Sequence, residues 1–274
     1  MFEILSNFLQ KKRIFLYSPI DLKDCAVIRP YLLEKAGIHA GTALILAVPY
    51  FTPACEDPGR NLSAYAVSRD YHLFFQELFS EWIPLLQAQF PKNRFVGFAD
   101  HSPIAEVDAA ARAGLGVVGE NGLLITEQYS SYVFLGELIT DAQFGTPSRA
   151  VRRCEACGRC RSACPVSDKD HCLSALTQKK GSLTGEEQKL VQSNGSVWGC
   201  DRCQQVCPHT VKAIRSGSIY TTIPFFLRDA LPKVTEDTLN GFTKEAFEQR
   251  AYAWRGRSTV ERNVKLMRKD EPIC

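Results

Sequence analysis

The chain lacks any long apolar run. Nowhere in its 274 residues does a stretch approach the ~20 apolar residues that a membrane span requires. It also lacks the residue order of a secretory leader. In "MFEILSNFLQKKRIFLYS" an acid, Glu3, comes early and the basic residues follow the apolar ones. A cytoplasmic protein without a membrane partner is therefore expected. Charge of one sign is scarce too: the formal net charge is only +3, a weak footprint for a polyanion. No low-complexity tract is present. What remains is 45% hydrophobic and 23% charged, enough for a sizeable core in one or two domains.

Cysteine, by contrast, is plentiful, with eleven in all. In a reducing compartment disulfides are rare, and metal or catalytic use becomes the expectation. Cys25, Cys55 and Cys274 are scattered and read as structural thiols. The other eight fall between Cys154 and Cys207. Cys154, Cys157, Cys160 and Cys164-Pro165 match C-x2-C-x2-C-x3-C-P, the bacterial ferredoxin run whose fourth cysteine ligates the other cluster. A second run, Cys200, Cys203 and Cys207-Pro208, lacks one local ligand, which Cys172 can supply. The crossover rule then assigns one 4Fe–4S cluster to Cys154, Cys157, Cys160 and Cys207. The other goes to Cys164, Cys172, Cys200 and Cys203. Zinc is the competing reading, but zinc ribbons use two pairs per metal and would leave surplus thiolates.

Upstream of the cysteines, helical and strand patterns interleave. "GTALILAVPY" (41–50) reads as a buried strand. In 70–90, Leu73, Phe74, Leu78, Trp82, Leu85 and Leu86 recur at helical spacing and predict a core-facing helix. "RFVGFA" (94–99) predicts a strand ending at Asp100, and "PIAEVDAAARAG" a helix stopped by Gly114. "NGLLIT" and "YVFLGELIT" predict two more strands. Gly114, Gly116 and Gly119 fit G-x-G-x-x-G, but a helix precedes them and a strand follows. That order is the reverse of a dinucleotide site, so a tight turn is expected instead. Asp100 on residue type alone reads as the N-cap of the next helix. His72 and His101 read as solvated or hydrogen-bonded histidines.

In combination, "SAYAVSRDYH" (63–72), "DHSPIAEVDAAARAGLGVVGENGLLI" (100–125), "SSYVFLGELITD" (130–141), the first cysteine run and "GCDRCQQVCP" (199–208) resemble the epoxyqueuosine reductase family. The resemblance runs from about residue 41 to about 267. It implies an α+β architecture: a nitroreductase-like α/β domain (1–148) for cobalamin and substrate, a ferredoxin-like two-cluster module (149–215), and a short helical C-terminal segment (216–274). It implies two 4Fe–4S clusters and cobalamin as cofactors. The implied activity is reduction of epoxyqueuosine to queuosine in tRNA, fed by an external low-potential electron donor, in a monomer. The family's proton-donating aspartate falls on Asp100, whose pKa burial would then raise. Its cobalamin contacts fall on Ser63, Tyr65, Asp100, Leu124, Leu135 and Asp201. Glu120 stands where the family has lysine, and His209-Thr210 where it has Trp-Asn. The resemblance implies a short member, without the C-terminal helical repeats of the family. Two other readings follow from these departures: a cobalamin and 4Fe–4S reductase of a small molecule, or an electron-transfer protein without cobalamin.

Overall fold

The computed structural model describes residues 1–166 and 172–267. Helices and strands mix along the chain. The first half contains α1 (Phe2–Lys11), β1 (Tyr17–Asp21), α2 (Pro30–Ala36), β2 (Thr42–Pro49), α3 (Tyr71–Gln89), β3 (Phe95–Phe98) and α4 (Glu106–Arg112). After these come β4 (Val117–Val118), β5 (Leu124–Ile125) and β6 (Val133–Thr140). Beyond β6 the described chain is helical. It holds α5 (Arg159–Ser162), α6 (Leu173–Gln178), α7 (Gly185–Asn194), α8 (Arg202–Gln205), α9 (Pro208–Arg215), α10 (Pro224–Leu227), α11 (Glu236–Gly241), α12 (Lys244–Glu248) and α13 (Arg257–Leu266). Among the described residues no helix is long and apolar enough to cross a membrane.

Two compact units divide the chain, each assembled from non-consecutive segments. The first takes residues 1–49, 72–157 and 209–223; the second takes 50–71, 158–208 and 224–274.

The first unit is built on a four-stranded sheet in the order β1-β2-β6-β3, every pairing antiparallel. All eight residues of β2 are buried. That is why its sequence is a continuous apolar run rather than an alternating one: both faces are covered. Gly41 at its entrance has φ +143°, and a Cβ there would stand 1.9 Å from the Thr140 carbonyl oxygen. No side chain fits at that point. α3 buries Phe74, Leu78, Trp82 and Leu86 as the spacing predicts, and adds Phe75 and Phe79. Leu85 departs from the expectation and is exposed; it sits beside Pro84 at the edge of the buried stripe. α4 lays Ala109, Ala110 and Ala111 on a core that includes Ile20, Ile45, Ile104 and Ile139. Small side chains there let the helix approach the sheet closely. Gly114 leaves α4 at φ +86°, and a Cβ on Gly116 would lie 2.4 Å from the Ile125 carbonyl oxygen. The glycine motif is thus a helix-to-strand turn, as its order implied. Cys25 is buried in this core, which pushes its thiol up to about 12.

The second unit packs α13 against α6 and α7, and α5 against α8. Leu173, Leu176, Leu183 and Val191 form its apolar centre beside α13. Asn263, fully buried, ties α13 down by donating its amide to the Thr177 and Val197 carbonyls at 2.7 and 2.8 Å. Cys55 is buried here. Cys274 lies outside the described residues.

Candidate functional site

In the first unit the chemistry gathers where β3 ends. Phe98, the last residue of β3, pairs with Glu137 of β6. The chain then turns at Asp100, whose φ of +63° is a left-handed conformation that aspartate tolerates better than most residues. Asp100 does not cap α4: the N-cap position is Ala105, and no side chain caps it. The Asp100 carboxylate instead projects outward, 68% exposed, with Oδ2 3.6 Å from His72 Nε2 on α3. His101 Nε2 lies 2.8 Å from the Tyr31 hydroxyl on α2.

The electrostatics of Asp100 differ from the sequence expectation. Its carboxyl is held below the usual carboxylate range rather than raised. The His72 imidazole beside it is the main cause and outweighs partial burial; Arg29 and His101 add in the same direction. The side chain is too exposed for desolvation to win.

Beneath this turn lies a feature that sequence reading missed. Glu137 on β6 is fully buried, and Glu106 opens α4 directly opposite the turn. Glu106 Oε1 accepts the Asp100 backbone N–H at 3.0 Å. Burial raises the pKa of both glutamates; Glu106 raises Glu137 further, whereas the bond from Glu137 works to lower Glu106. The available signal was a charged residue in the middle of "YVFLGELIT", a run otherwise fit for a strand buried on both faces.

In the second unit a buried aspartate organises the segment before the last cysteines. Asp201, 5% exposed, accepts the Ser63 hydroxyl, the Ala64 backbone N–H at 2.7 Å and the Arg60 guanidinium at 2.7 Å. Tyr65 takes a hydrogen bond from the Trp198 indole N–H at 2.7 Å, and burial pushes its phenol up. Gly199 closes against this frame at φ +73°; a Cβ there would stand 2.4 Å from the Ser63 Cβ. Ser63, Tyr65 and Asp201 are therefore brought together, while Leu124 and Leu135 belong to the first unit. A cavity of about 490 Å³ opens in the second unit beside Arg60, Ser63, Ser196, Cys200, Arg202 and Gln205. Most of the side chains at its rim are polar.

Of the eight clustered cysteines, Cys157, Cys164 and Cys172 are exposed, and Cys154, Cys160, Cys200, Cys203 and Cys207 are half-buried. Cys164, Cys172, Cys200 and Cys203 all belong to the second unit. Burial pushes the Cys200 thiol up, and the nearness of Asp201 and Cys172 adds to this. Among the described residues, no three His, Cys, Asp or Glu side chains are gathered closely enough to hold a single metal ion. The donor set is nonetheless all sulfur and too numerous for one ion, which fits a multi-iron cluster better than one zinc.

No family model matches the chain. It is 33% identical over 231 residues to an epoxyqueuosine reductase of Gloeobacter violaceus, covering 81% of this chain and 71% of that protein. It is 32% identical over 211 residues to one of Listeria monocytogenes, covering 72% and 54%. The chain thus spans between about half and seven tenths of the length of these relatives. The fold resembles that of the epoxyqueuosine reductase of Streptococcus thermophilus, with TM-score 0.74, 23% identity and 97% of this chain covered against 80% of that one. A crystal structure of epoxyqueuosine reductase with an epoxyqueuosine-modified tRNA-Tyr stem loop gives TM-score 0.73, 20% identity, and 97% and 81% coverage.

Proposed function

The chain belongs to the epoxyqueuosine reductase family, and from that premise we propose that it reduces the epoxide of epoxyqueuosine in tRNA to the alkene of queuosine. The observation that carries this reading is the likeness to relatives over about four fifths of the chain. We propose two 4Fe–4S clusters, one on Cys154, Cys157, Cys160 and Cys207 and one on Cys164, Cys172, Cys200 and Cys203. The clusters would supply single electrons from an external low-potential donor. Cobalamin would supply a low-valent metal centre able to engage the epoxide. Its candidate contacts are Ser63, Tyr65, Asp100, Leu124, Leu135 and Asp201. A nitroreductase-like sheet domain, a ferredoxin-like module and a cytoplasmic monomer complete the proposal.

The chain's own part in the chemistry is to deliver a proton to the epoxide oxygen as its C–O bond breaks. Asp100 sits on a solvent-facing turn with His72 within 3.6 Å. Because His72 holds the carboxyl down, Asp100 is ionised at neutral pH in this arrangement. We propose that the proton resides on the Asp100–His72 pair and that closing substrate over the turn removes water and shifts it towards transfer. A related structure is described as having its catalytic aspartate loop swung out of the active site; a movable aspartate turn is proposed for this chain too.

The test uses anaerobically reconstituted protein, cobalamin, a low-potential reductant and an epoxyqueuosine-bearing stem loop. Mass spectrometry of the released nucleosides should show queuosine. Cofactor-loaded protein that leaves the epoxide intact would overturn the assignment.

A further inference from the structure

Glu137 poses a physical problem. It is fully buried, on the sheet's second central strand, opposite Ile45 of β2. Yet among the described residues neither of its carboxyl oxygens completes a hydrogen bond of normal geometry, although the Ser102 hydroxyl stands beside it as a donor. The groups that face it are the Ser102 hydroxyl and the carboxyl of Glu106. Two ionised carboxylates cannot face each other in such a place without a severe penalty. One proton between them removes the difficulty. A protonated Glu137 then donates to the Glu106 carboxylate, whose other interaction is already fixed: Glu106 Oε1 accepts the Asp100 backbone N–H at 3.0 Å.

We propose that Glu106 and Glu137 share a single proton as a buried carboxyl pair, and that this pair is the positioning device of the Asp100 turn. The Asp100 role is taken from the reading above; the pair itself does not depend on it. The left-handed backbone at Asp100, φ +63°, is held by a charge-assisted bond to Glu106. That acceptor stays anionic because the proton stays on Glu137. Loss of the shared proton sets two anions against each other and pushes Glu106 away from the turn. Protonation of Glu106 as well weakens the bond to Asp100.

Other charged or titratable groups surround the pair. Arg29, before α2, donates to the Ser102 carbonyl at 2.9 Å and favours the anion on Glu106. The Asp100 backbone N–H favours it as well, and the Asp100 charge opposes it less strongly. His101 and, on α3, His72 act on Asp100. Asp108 and Arg112 on α4 bond each other at 2.6 Å, and Asp24 and Cys25 lie on that same side. Burial raises both glutamates, Glu137 well above the usual carboxylate value.

The experiment compares the full reconstituted chain with Glu137→Gln and Glu137→Leu. Glutamine keeps an N–H donor towards Glu106 but cannot titrate; leucine removes the donor. Infrared spectra of protein with isotopically labelled glutamate should show a protonated-carboxyl stretch at neutral pH that shifts in D2O and disappears in Glu137→Gln. Hydrogen exchange at the Asp100 amide should be slow in wild type and Glu137→Gln, and roughly tenfold or more faster in Glu137→Leu. In the turnover assay, Glu137→Gln should stay within about threefold of wild type while losing the alkaline fall of its pH profile. Absence of the infrared band overturns the shared proton. Equal Asp100 amide exchange in all three proteins overturns the positioning role. If wild type fails to reduce the epoxide, the functional reading above falls, while the infrared and exchange results still decide the pair.

Discussion

Replacing Asp201 with alanine should unfold the second unit more easily by about 3–5 kcal/mol, the usual cost of removing one partner of a buried ion pair. The structure supports the upper part of that range. Arg60 is 11% exposed on its side chain and Asp201 2%, so the guanidinium left behind finds little water. The same carboxylate accepts the Ser63 hydroxyl and the Ala64 N–H, and the latter becomes an unpaired backbone donor. Against a total stability of roughly 5–15 kcal/mol this is a large share. With a urea slope of about 2 kcal/mol/M, the midpoint should fall by about 2 M. Asp201→Asn keeps shape and one acceptor but loses the charge, so it should fall by about half as much. The assay is urea unfolding of anaerobically reconstituted protein followed by circular dichroism, with iron measured on each sample because Cys200 is adjacent. Arg60→Ala completes a double-mutant cycle: once Asp201 is gone, removing Arg60 should cost little more. Wild-type unfolding in Asp201→Ala would refute the reasoning. So would full additivity of the two losses, because the network would then not be a network.

Three further outcomes are expected. Asp100→Asn should melt within a few degrees of wild type, since the side chain is exposed, caps no helix and asparagine also adopts left-handed backbone; turnover should fall at least about a hundredfold because the proton donor is lost. Cys157→Ala should remove about half of the roughly eight iron atoms that two complete clusters hold; unchanged iron would break the assignment of ligands. The stability gap between wild type and Glu137→Gln should depend on pH in a set direction. Glu137 binds its proton more tightly folded than unfolded, so wild-type stability declines as pH rises from the ordinary glutamate range, about 4.5, towards its raised folded value. The glutamine variant lacks that decline, and parallel stability curves in urea from pH 4 to 8 would count against a buried Glu137 carboxyl.

Much of the chain could be read before folding was considered. β2 announced itself because a strand covered on both faces has no need to alternate. α3 did so because one helical stripe meets the sheet, so Phe74, Leu78 and Trp82 recur at helical spacing. The spacing of the cysteines carried the proposal of two clusters, since ligands for a shared object must be local in sequence when a loop wraps it. The Asp100 region was legible only as a motif: its residue type allowed both a cap and an acid, and the choice between them needed the start of α4 at Glu106.

Other features arise from tertiary structure alone. Residues 50–71 join the unit that contains 158–208, because the Asp201 carboxylate needs donors and Arg60, Ser63 and Ala64 supply them from about 140 positions earlier in the chain. The state of Asp100 was decided by His72, which lies on another helix and reverses the direction that burial would have given. The facing of Glu106 and Glu137 is the clearest case. In sequence they are two unremarked acids thirty-one positions apart. Antiparallel pairing of β3 with β6 sets Glu137 opposite Phe98, just before the Asp100 turn, and α4 begins with Glu106 above it. Sequence fixes which groups can carry a proton; only the register of the sheet brings two of them close enough to share one.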